Sequence, residues 1–288
     1  MDRLLGVAIV DVAAGASHSV CLAEVGVVFT CGQGFDGRLG HGTVSNELEP
    51  RAVEKGDLAK AVVVTRIAAG GAHTVCCGAG GELITFGCGG VGALGHGSSR
   101  PGQSAASNEL VPRQVQALRF EFIQAVAAGA MHTIVLAQQG RIFSFGYGLD
   151  GALGHGSLRH EPLPRQLEDF GEDDTALGVA AGVSVSLIWT ARNLYTFGDL
   201  RSGALGHTGQ AAAVELGFEK ETRPKLVAAL KGKRIAGATS SSYHSAAWTT
   251  DGEVWSFGHK KAGIALGHAG VVGDPGGEEV PRLILHHL

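Results

Sequence analysis

Five short segments of the chain alternate between bulky apolar residues and small hydroxyl residues. Each segment has a Thr or Ser between two apolar side chains, and a further apolar residue precedes it. A period of two is typical of a β-strand, and apolar residues on both faces indicate that neighbouring sheets cover the strand on both sides. The five triplets are Phe29-Thr30-Cys31, Ile84-Thr85-Phe86, Phe143-Ser144-Phe145, Tyr195-Thr196-Phe197 and Trp255-Ser256-Phe257.

These triplets belong to a repeat that runs through the whole chain. In every repeat a glycine follows the triplet directly, a second glycine comes five residues later, and Leu-Gly-His comes next. A histidine stands upstream of the triplet in four repeats, and Val185 takes its place in the fourth. Self-similarity of this kind is the signature of a repeat architecture. The repeats span approximately residues 6–55, 62–117, 122–169, 177–229 and 233–286.

Each repeat predicts four short strands. The run that starts at the upstream histidine predicts a strand before the triplet, joined to it by a turn such as Gly80-Gly81 or Asp251-Gly252. A Pro-Arg or Pro-Lys run follows Leu-Gly-His, and proline suits a strand at a sheet edge because no internal ladder bond is lost there. The predicted fold is therefore all-β, a β-propeller of five four-stranded repeats in one domain over residues 1–288.

The order of these motifs resembles the repeat of the regulator of chromosome condensation family. Gly-x-x-His-(Ser/Thr), Phe-Gly, Gly-Ala-Leu-Gly-His-Gly and the Pro-Arg run follow one another in that order, and the resemblance covers essentially the whole chain. It implies a β-propeller whose loops bind partner proteins. That family typically closes seven blades and this chain has five repeats. Either five blades close by themselves, or the ring is open, or something else completes it.

Composition and charge narrow the function classes. Lys plus Arg (23) nearly balances Asp plus Glu (27), for a net charge of −4, which argues against nucleic acid as the main partner. The uncharged apolar stretches are copies of a repeated Ala-Ala-Gly segment, so no membrane insertion is expected. Five cysteines without a glycosylation sequon favour a reducing interior, with the cytoplasm expected and an organellar or cytoskeletal assembly as alternatives.

Three types of motif resemble functional sites, but their positions in the repeat explain each of them better. Gly-x-Gly-x-x-Gly occurs at 32–37, 87–92 and 146–151, but no helix follows to bind a phosphate, so no nucleotide cofactor is predicted. Nine of the thirteen histidines occupy repeat positions, which distributes them around the propeller instead of converging on a metal. Cys21, Cys31 and Cys76 are interpreted as small buried hydrophobes. We therefore predict no catalytic, cofactor or metal site.

The predicted function is a non-catalytic protein-interaction module or scaffold subunit, with exchange of guanine nucleotides on a small GTPase as the alternative. An ultraviolet-B photoreceptor, another branch of the family, needs an array of tryptophans, and this chain has three. Partner-binding residues are predicted where the repeats differ, in two acidic segments that each hold one aromatic. They are Asp169, Phe170, Glu172, Asp173, Asp174, Phe218 and Glu219.

Overall fold

The four predicted strands per repeat are present as four-stranded antiparallel sheets. The computed structural model of the chain describes residues 4–60, 62–97, 107–168, 174–200, 203–207, 219–258, 266–267 and 278–285. These residues form five sheets, each with its strands in chain order, and this part of the chain contains no α-helix. The predicted all-β propeller class is confirmed, and we refer to each sheet as a blade.

The blades follow the repeats in chain order. Blade 1 consists of β1 (Ile9–Ala14), β2 (His18–Ala23), β3 (Val28–Gly32) and β4 (Glu47–Ala52). Blade 2 consists of β5 (Val64–Ala69), β6 (His73–Gly78), β7 (Leu83–Gly87) and β8 (Glu109–Gln114). Blade 3 consists of β9 (Ile123–Ala128), β10 (His132–Ala137), β11 (Ile142–Gly146) and β12 (Glu161–Gln166). Blade 4 consists of β13 (Ala176–Ala181), β14 (Val185–Thr190), β15 (Leu194–Asp199) and β16 (Lys220–Leu226). Blade 5 consists of β17 (Ile235–Ser240), β18 (His244–Thr249), β19 (Val254–Gly258) and β20 (Glu278–Leu285).

The chain divides into two compact units. The first unit comprises Met1–Tyr147 and His160–Gln166 and holds blades 1, 2 and 3. The second comprises Gly148–Arg159 and Leu167–Leu288 and holds blades 4 and 5 with one loop of the third repeat. The assignment of residues 1–288 to one domain stays a prediction.

The apolar core of each unit lies between neighbouring blades. In the first unit, Leu22 of blade 1 packs in one cluster with Ile84 and Phe86 of blade 2. In the second unit, Leu187 of blade 4 packs in one cluster with Phe257 of blade 5. Because side chains alternate along a strand, each blade has two faces, which we call rear and forward. Within each unit, the rear face of a blade packs against the forward face of the blade before it.

Candidate interaction surfaces

A buried hydrogen-bond network, which we call the latch, joins neighbouring blades of the first unit. The histidine that opens the second strand of one blade approaches the threonine at the second position of that strand in the next blade. That threonine donates its only hydroxyl hydrogen to the carbonyl before Leu-Gly-His in the preceding repeat, so the histidine Nε2–H is the donor to the threonine. The His18 Nε2 to Thr74 Oγ1 and His73 Nε2 to Thr133 Oγ1 distances are both 3.0 Å, and the threonines donate to Arg38 O at 2.8 Å and Ala93 O at 2.7 Å.

The second unit repeats the hydroxyl half of the latch. Ser245 Oγ of blade 5 donates to Ala204 O in the turn of the fourth repeat at 2.7 Å. Ser186 Oγ of blade 4 donates to Ala152 O at 2.7 Å in the same way. Both serines are fully buried. The small hydroxyl at this strand position therefore satisfies a buried carbonyl between blades.

The histidines of Leu-Gly-His make a second contact, within their own blade. In blade 1, Thr30 Oγ1 donates to Leu39 O at 2.7 Å and lies 3.0 Å from His41 Nε2. This bond fixes the turn that follows the triplet onto its own strand. The equivalent His96–Thr85 and His207–Thr196 distances are 2.9 and 3.0 Å.

Burial keeps the latch histidines neutral. The pKa of His73 is lowered to about 3, mainly by burial and in part by the neighbouring His132 and His18. Burial also lowers the pKa values of His18, with a contribution from Arg38, and of His132, both to about 4. The His18 and His73 rings are hydrogen-bonded parts of the blade packing, as predicted, and the His132 ring is buried. Within the described ranges, no group of three or more His, Cys, Asp or Glu residues is arranged to hold a metal ion.

The glycine of Leu-Gly-His packs against a phenylalanine ring of the next blade, and we call this contact the glycine socket. It explains the spacing between the triplet and Leu-Gly-His. Gly95 has φ +73° and its ideal Cβ would lie 2.9 Å from the Phe145 ring of the next blade, so only glycine lets the two blades approach this closely. The Val115 side chain forms the other wall of the socket, and the Phe145 ring is fully buried in it. The same packing occurs in the pairs Gly40–Phe86, Gly154–Phe197 and Gly206–Phe257.

Only two of the predicted partner-binding residues fall in the described ranges. Asp174 precedes β13 and contacts the start of β15, whereas the Glu219 carbonyl accepts a hydrogen bond from Leu200 N just after β15. The two residues therefore lie at opposite ends of blade 4 and belong to separate surfaces. Asp169, Phe170, Glu172, Asp173 and Phe218 lie outside the described residues.

Asp174 has a structural contact within blade 4. Its carboxylate accepts hydrogen bonds from Asn193 Nδ2 at 2.6 Å and from the Tyr195 hydroxyl at 3.1 Å. Burial raises the pKa of Tyr195, and the bond to Asp174 raises it further. This carboxylate therefore fixes the turn before β15 and is half-buried beside it.

The turn after β3 holds a polar cluster that the sequence analysis missed. Asp36 has φ +61°, a conformation that costs energy for a residue with a side chain. Its carboxylate accepts hydrogen bonds from Arg38 Nη2 at 3.3 Å and from Asn108 Nδ2 at 2.9 Å. Arg38 also donates to Phe35 O at 2.9 Å and to Ser17 Oγ at 2.7 Å. The turn is thereby held in one conformation between blades 1 and 2.

This rigid turn carries apolar side chains into solvent. Phe35 is 58% exposed, Val44 in the same β3–β4 connection is 51% exposed, and Leu48 at the start of β4 is 96% exposed. We call these three residues and Asp36 the Phe35 surface. The signal in the sequence was Phe35-Asp36 between two glycines, since Asp tolerates positive φ better than most residues.

The rear face of blade 1 is exposed where the corresponding faces of later blades are buried. Val12 of β1 is 68% exposed, whereas its counterpart Ile67 in blade 2 is 8% exposed. Cys21 and Cys31 are half-exposed, so the expectation that they are buried is wrong for these two, although Cys76 is fully buried as predicted. The physical reason is that no described blade covers them.

Five four-stranded antiparallel blades that repeat one sequence pattern define a β-propeller repeat protein. The family model for the RCC1-like domain matches residues 2–285, and the chain belongs to this family. The resemblance found in the sequence is confirmed. None of the helices in the described part of the chain has the length and apolar character to cross a membrane.

Named relatives agree with this assignment. The chain is 31% identical to the E3 ubiquitin-protein ligase HERC2 of Homo sapiens, over all of this chain and 6% of that protein. It is 30% identical to the ultraviolet-B receptor UVR8 of Arabidopsis thaliana, over 91% of this chain and 56% of the receptor. The chain thus spans less than two thirds of these relatives. The solved structure of yeast RCC1 (Prp20) bound to Kap60 superposes with a TM-score of 0.73 at 21% identity, over 96% of this chain and 63% of that one.

Proposed function

We propose that the chain is a non-catalytic protein-interaction module that binds a partner through the Phe35 surface. The observation that carries the proposal is an exposed aromatic on a turn whose strained Asp36 is held by Arg38 and Asn108. Preorganisation of this kind lowers the entropy lost on binding, and aromatic side chains dominate the affinity of protein interfaces. The latch histidines are committed to blade packing, which leaves the loops as the variable part of the molecule.

The test is affinity purification of the tagged chain from its own cells, with washes at low and high salt and mass spectrometry of the retained proteins. Phe35→Asp places a charge at the centre of the surface and is expected to remove a partner that the parent chain retains. Phe120→Asp is the matched control because Phe120 is also a surface aromatic, 86% exposed, but lies in the connection between β8 and β9. Retention of every partner by Phe35→Asp would refute the proposal.

A second candidate is exchange of guanine nucleotides on a small GTPase. Its support is the family resemblance, whose founding member has this activity. An exchange assay across a panel of small GTPases tests it directly, with fluorescent nucleotide release as the readout. Acceleration for one GTPase would establish the activity, and the lack of acceleration for all of them would remove it.

The acidic segments remain a second proposed contact. Asp169, Phe170, Glu172 and Asp173 in one segment, and Phe218 in the other, combine carboxylates with an aromatic, which suits a basic partner surface. Charge reversal of Glu172 is expected to release such a partner, and the loss should be matched by high salt in the parent chain. Because the Asp174 carboxylate already binds Asn193 and Tyr195, Asp174→Asn is the control for folding.

We infer that the protein works in a reducing compartment inside the cell. All five cysteines are free thiols, and such thiols persist where disulfides do not form. The cytoplasm is the proposed location, with an organellar or cytoskeletal assembly as the alternative. Fractionation of cells that express the tagged chain distinguishes these locations.

A further inference from the structure

We propose that the rear face of blade 1 binds the forward face of blade 5 from a second copy of this chain. The rear face of blade 1 is defined by Val12, Ser19, Cys21, Phe29 and Cys31. The forward face of blade 5 is defined by His244, Ala246, Trp248, Gly267 and Ile284.

Along the second strand of each blade, residues alternate strictly between the two faces, so the position of a residue in this strand assigns it to one face. At its second position, Ser19 is exposed in blade 1, whereas Thr74, Thr133, Ser186 and Ser245 are all fully buried. That position lies on the rear face, where the hydroxyl takes part in the latch. Blade 1 therefore presents one half of a latch to solvent.

The fifth position of the same strand lies on the forward face. Leu22 in blade 1, Cys77 in blade 2 and Leu136 in blade 3 are each no more than 3% exposed. Trp248 in blade 5 is 41% exposed. A large aromatic on an open sheet face, with no described blade over it, is the type of residue that anchors protein interfaces.

The glycine socket of the fifth repeat is open in the same way. Ile284 lies 3.2 Å from the ideal Cβ position of Gly267, as Val53 lies 3.1 Å from that of Gly40 in the first repeat. Val53 is 6% exposed and Ile284 is 39% exposed, because the Phe86 ring covers the first socket. The forward face of blade 5 thus has both walls of a socket without a ring seated between them in the described residues.

The rear face of blade 1 contains a groove at a position that a turn of the preceding repeat occupies in blade 2. The groove has a volume of about 590 Å³ and is lined by residues that include Ser17, Ser19, Cys31 and Gly32. In blade 2, the residue equivalent to Gly32 is Gly87, and the backbone of the preceding Leu-Gly-His turn lies 3.2 Å from its ideal Cβ. A backbone turn from another blade therefore occupies this position in the established interface.

The sizes of the side chains on the two open faces are complementary. Cys31 on the rear face of blade 1 is smaller than the phenylalanine found at this position in every other blade. On the forward face of blade 5, Ile284 and Trp248 are larger than Val53 and Leu22, their counterparts in blade 1. Because the same chain has a smaller side chain on its open rear face and larger side chains on its open forward face, a second copy of the chain is the favoured partner for these faces.

The latch can be completed across this interface. His244 Nδ1 lies 2.8 Å from Ser241 Oγ, so the contact with Ser241 uses the Nδ1 side of the ring and not Nε2. Nε2 is the atom through which His18 and His73 bind the next blade. The Ser19 hydroxyl of a second copy would take the position that Thr74 and Thr133 have in the first unit. This interface is heterologous, since different faces of the two copies meet.

The test uses the full chain and two blocking variants. Trp248→Asp blocks the forward face of blade 5, and Ser19→Arg blocks the rear face of blade 1. In sedimentation velocity, the parent chain is expected to shift from monomer to larger species as its concentration rises. Each single variant is expected to weaken this association by at least about 30-fold. Phe120→Asp is the control, because its side chain lies outside both faces.

A mixture of the two variants distinguishes this interface from any other. Ser19→Arg retains an intact forward face and Trp248→Asp retains an intact rear face, so the mixture should form a dimer although neither variant does so alone. A mixture that stays monomeric, or a parent chain that is monomeric at all concentrations, would overturn the proposal.

A measurement on the parent chain avoids dependence on the folding of any variant. Alkylation of Cys21 and Cys31 should slow as the chain concentration rises, because both thiols lie on the rear face of blade 1. Cys88 is half-exposed outside this face and serves as the internal reference. The proposal would also be overturned if the alkylation rates of Cys21 and Cys31, relative to that of Cys88, were the same at high and at low chain concentration.

Discussion

Protonation of the buried repeat histidines should make folding strongly dependent on pH. Burial lowers the pKa values of His18, His132 and His207 to about 4 and that of His73 to about 3, against about 6.5 in the unfolded chain. Below pH 6.5 the unfolded chain therefore binds protons that the folded chain does not, and stability falls with pH. The contribution is fully present above pH 6.5 and is lost as the pH falls toward the folded-state values.

The expected magnitude follows from linkage. One pH unit below 6.5, each such histidine costs about 1.4 kcal/mol, so four together cost about 6 kcal/mol. That loss is comparable with the whole stability of many domains. Urea titrations at a series of pH values between 8 and 5 measure it as a decrease in the free energy of unfolding.

His73→Val isolates one histidine, and Val185 shows that blade 4 accommodates valine at the same strand position. At pH 8 we expect a loss of about 1–2 kcal/mol, since one buried hydrogen bond and some packing are removed while Thr133 keeps its bond to Ala93 O. Below pH 6.5 the difference from the parent chain should shrink by about 1.4 kcal/mol per pH unit. The same substitution at exposed His160 is the control. A stability difference that is the same at pH 8 and pH 5 would refute the reasoning.

Three further substitutions or measurements test the packing. Gly95→Ala should lower stability by about 1–3 kcal/mol more than Gly232→Ala in thermal melts, because both glycines have positive φ but only Gly95 faces a phenylalanine ring. Phe145→Ala should cost about 3–5 kcal/mol, and a cost under 1 kcal/mol would contradict its burial in the socket. In native protein Cys31 should react with an alkylating reagent and Cys76 should not, since burial raises the pKa of Cys76 to about 12, and mass spectrometry of the labelled peptides distinguishes them.

The repeat made most of the fold predictable from the sequence. Strand alternation, turn glycines and the Pro-Arg run recur in phase, so each repeat supports the interpretation of the others. The structural role of the histidines could be predicted for the same reason. Their hydrogen-bond partners could not, because His18 and Thr74 are 56 residues apart and only blade packing brings them together.

The candidate sites were harder to predict because they depend on what does not repeat. The exposure of Cys21 and Cys31 depends on whether another blade covers the rear face of blade 1. The sequence pattern of a strand is the same for a covered face and for an uncovered one. The Phe35 surface depends on the conformation of Asp36, which Arg38 and Asn108 stabilise from different parts of the chain. Composition favoured the acidic segments instead, and the structure places Asp174 and Glu219 at opposite ends of blade 4.

The latch contacts within each unit join only adjacent repeats, and this has a consequence for how such a chain can change over evolution. Where every contact of this kind is local to two adjacent repeats, duplication or deletion of a whole repeat leaves the remaining contacts intact. A new copy would carry its own hydroxyl for the blade before it and its own histidine for the blade after it. The latch therefore determines how blades adjoin and leaves their number free to vary by whole repeats.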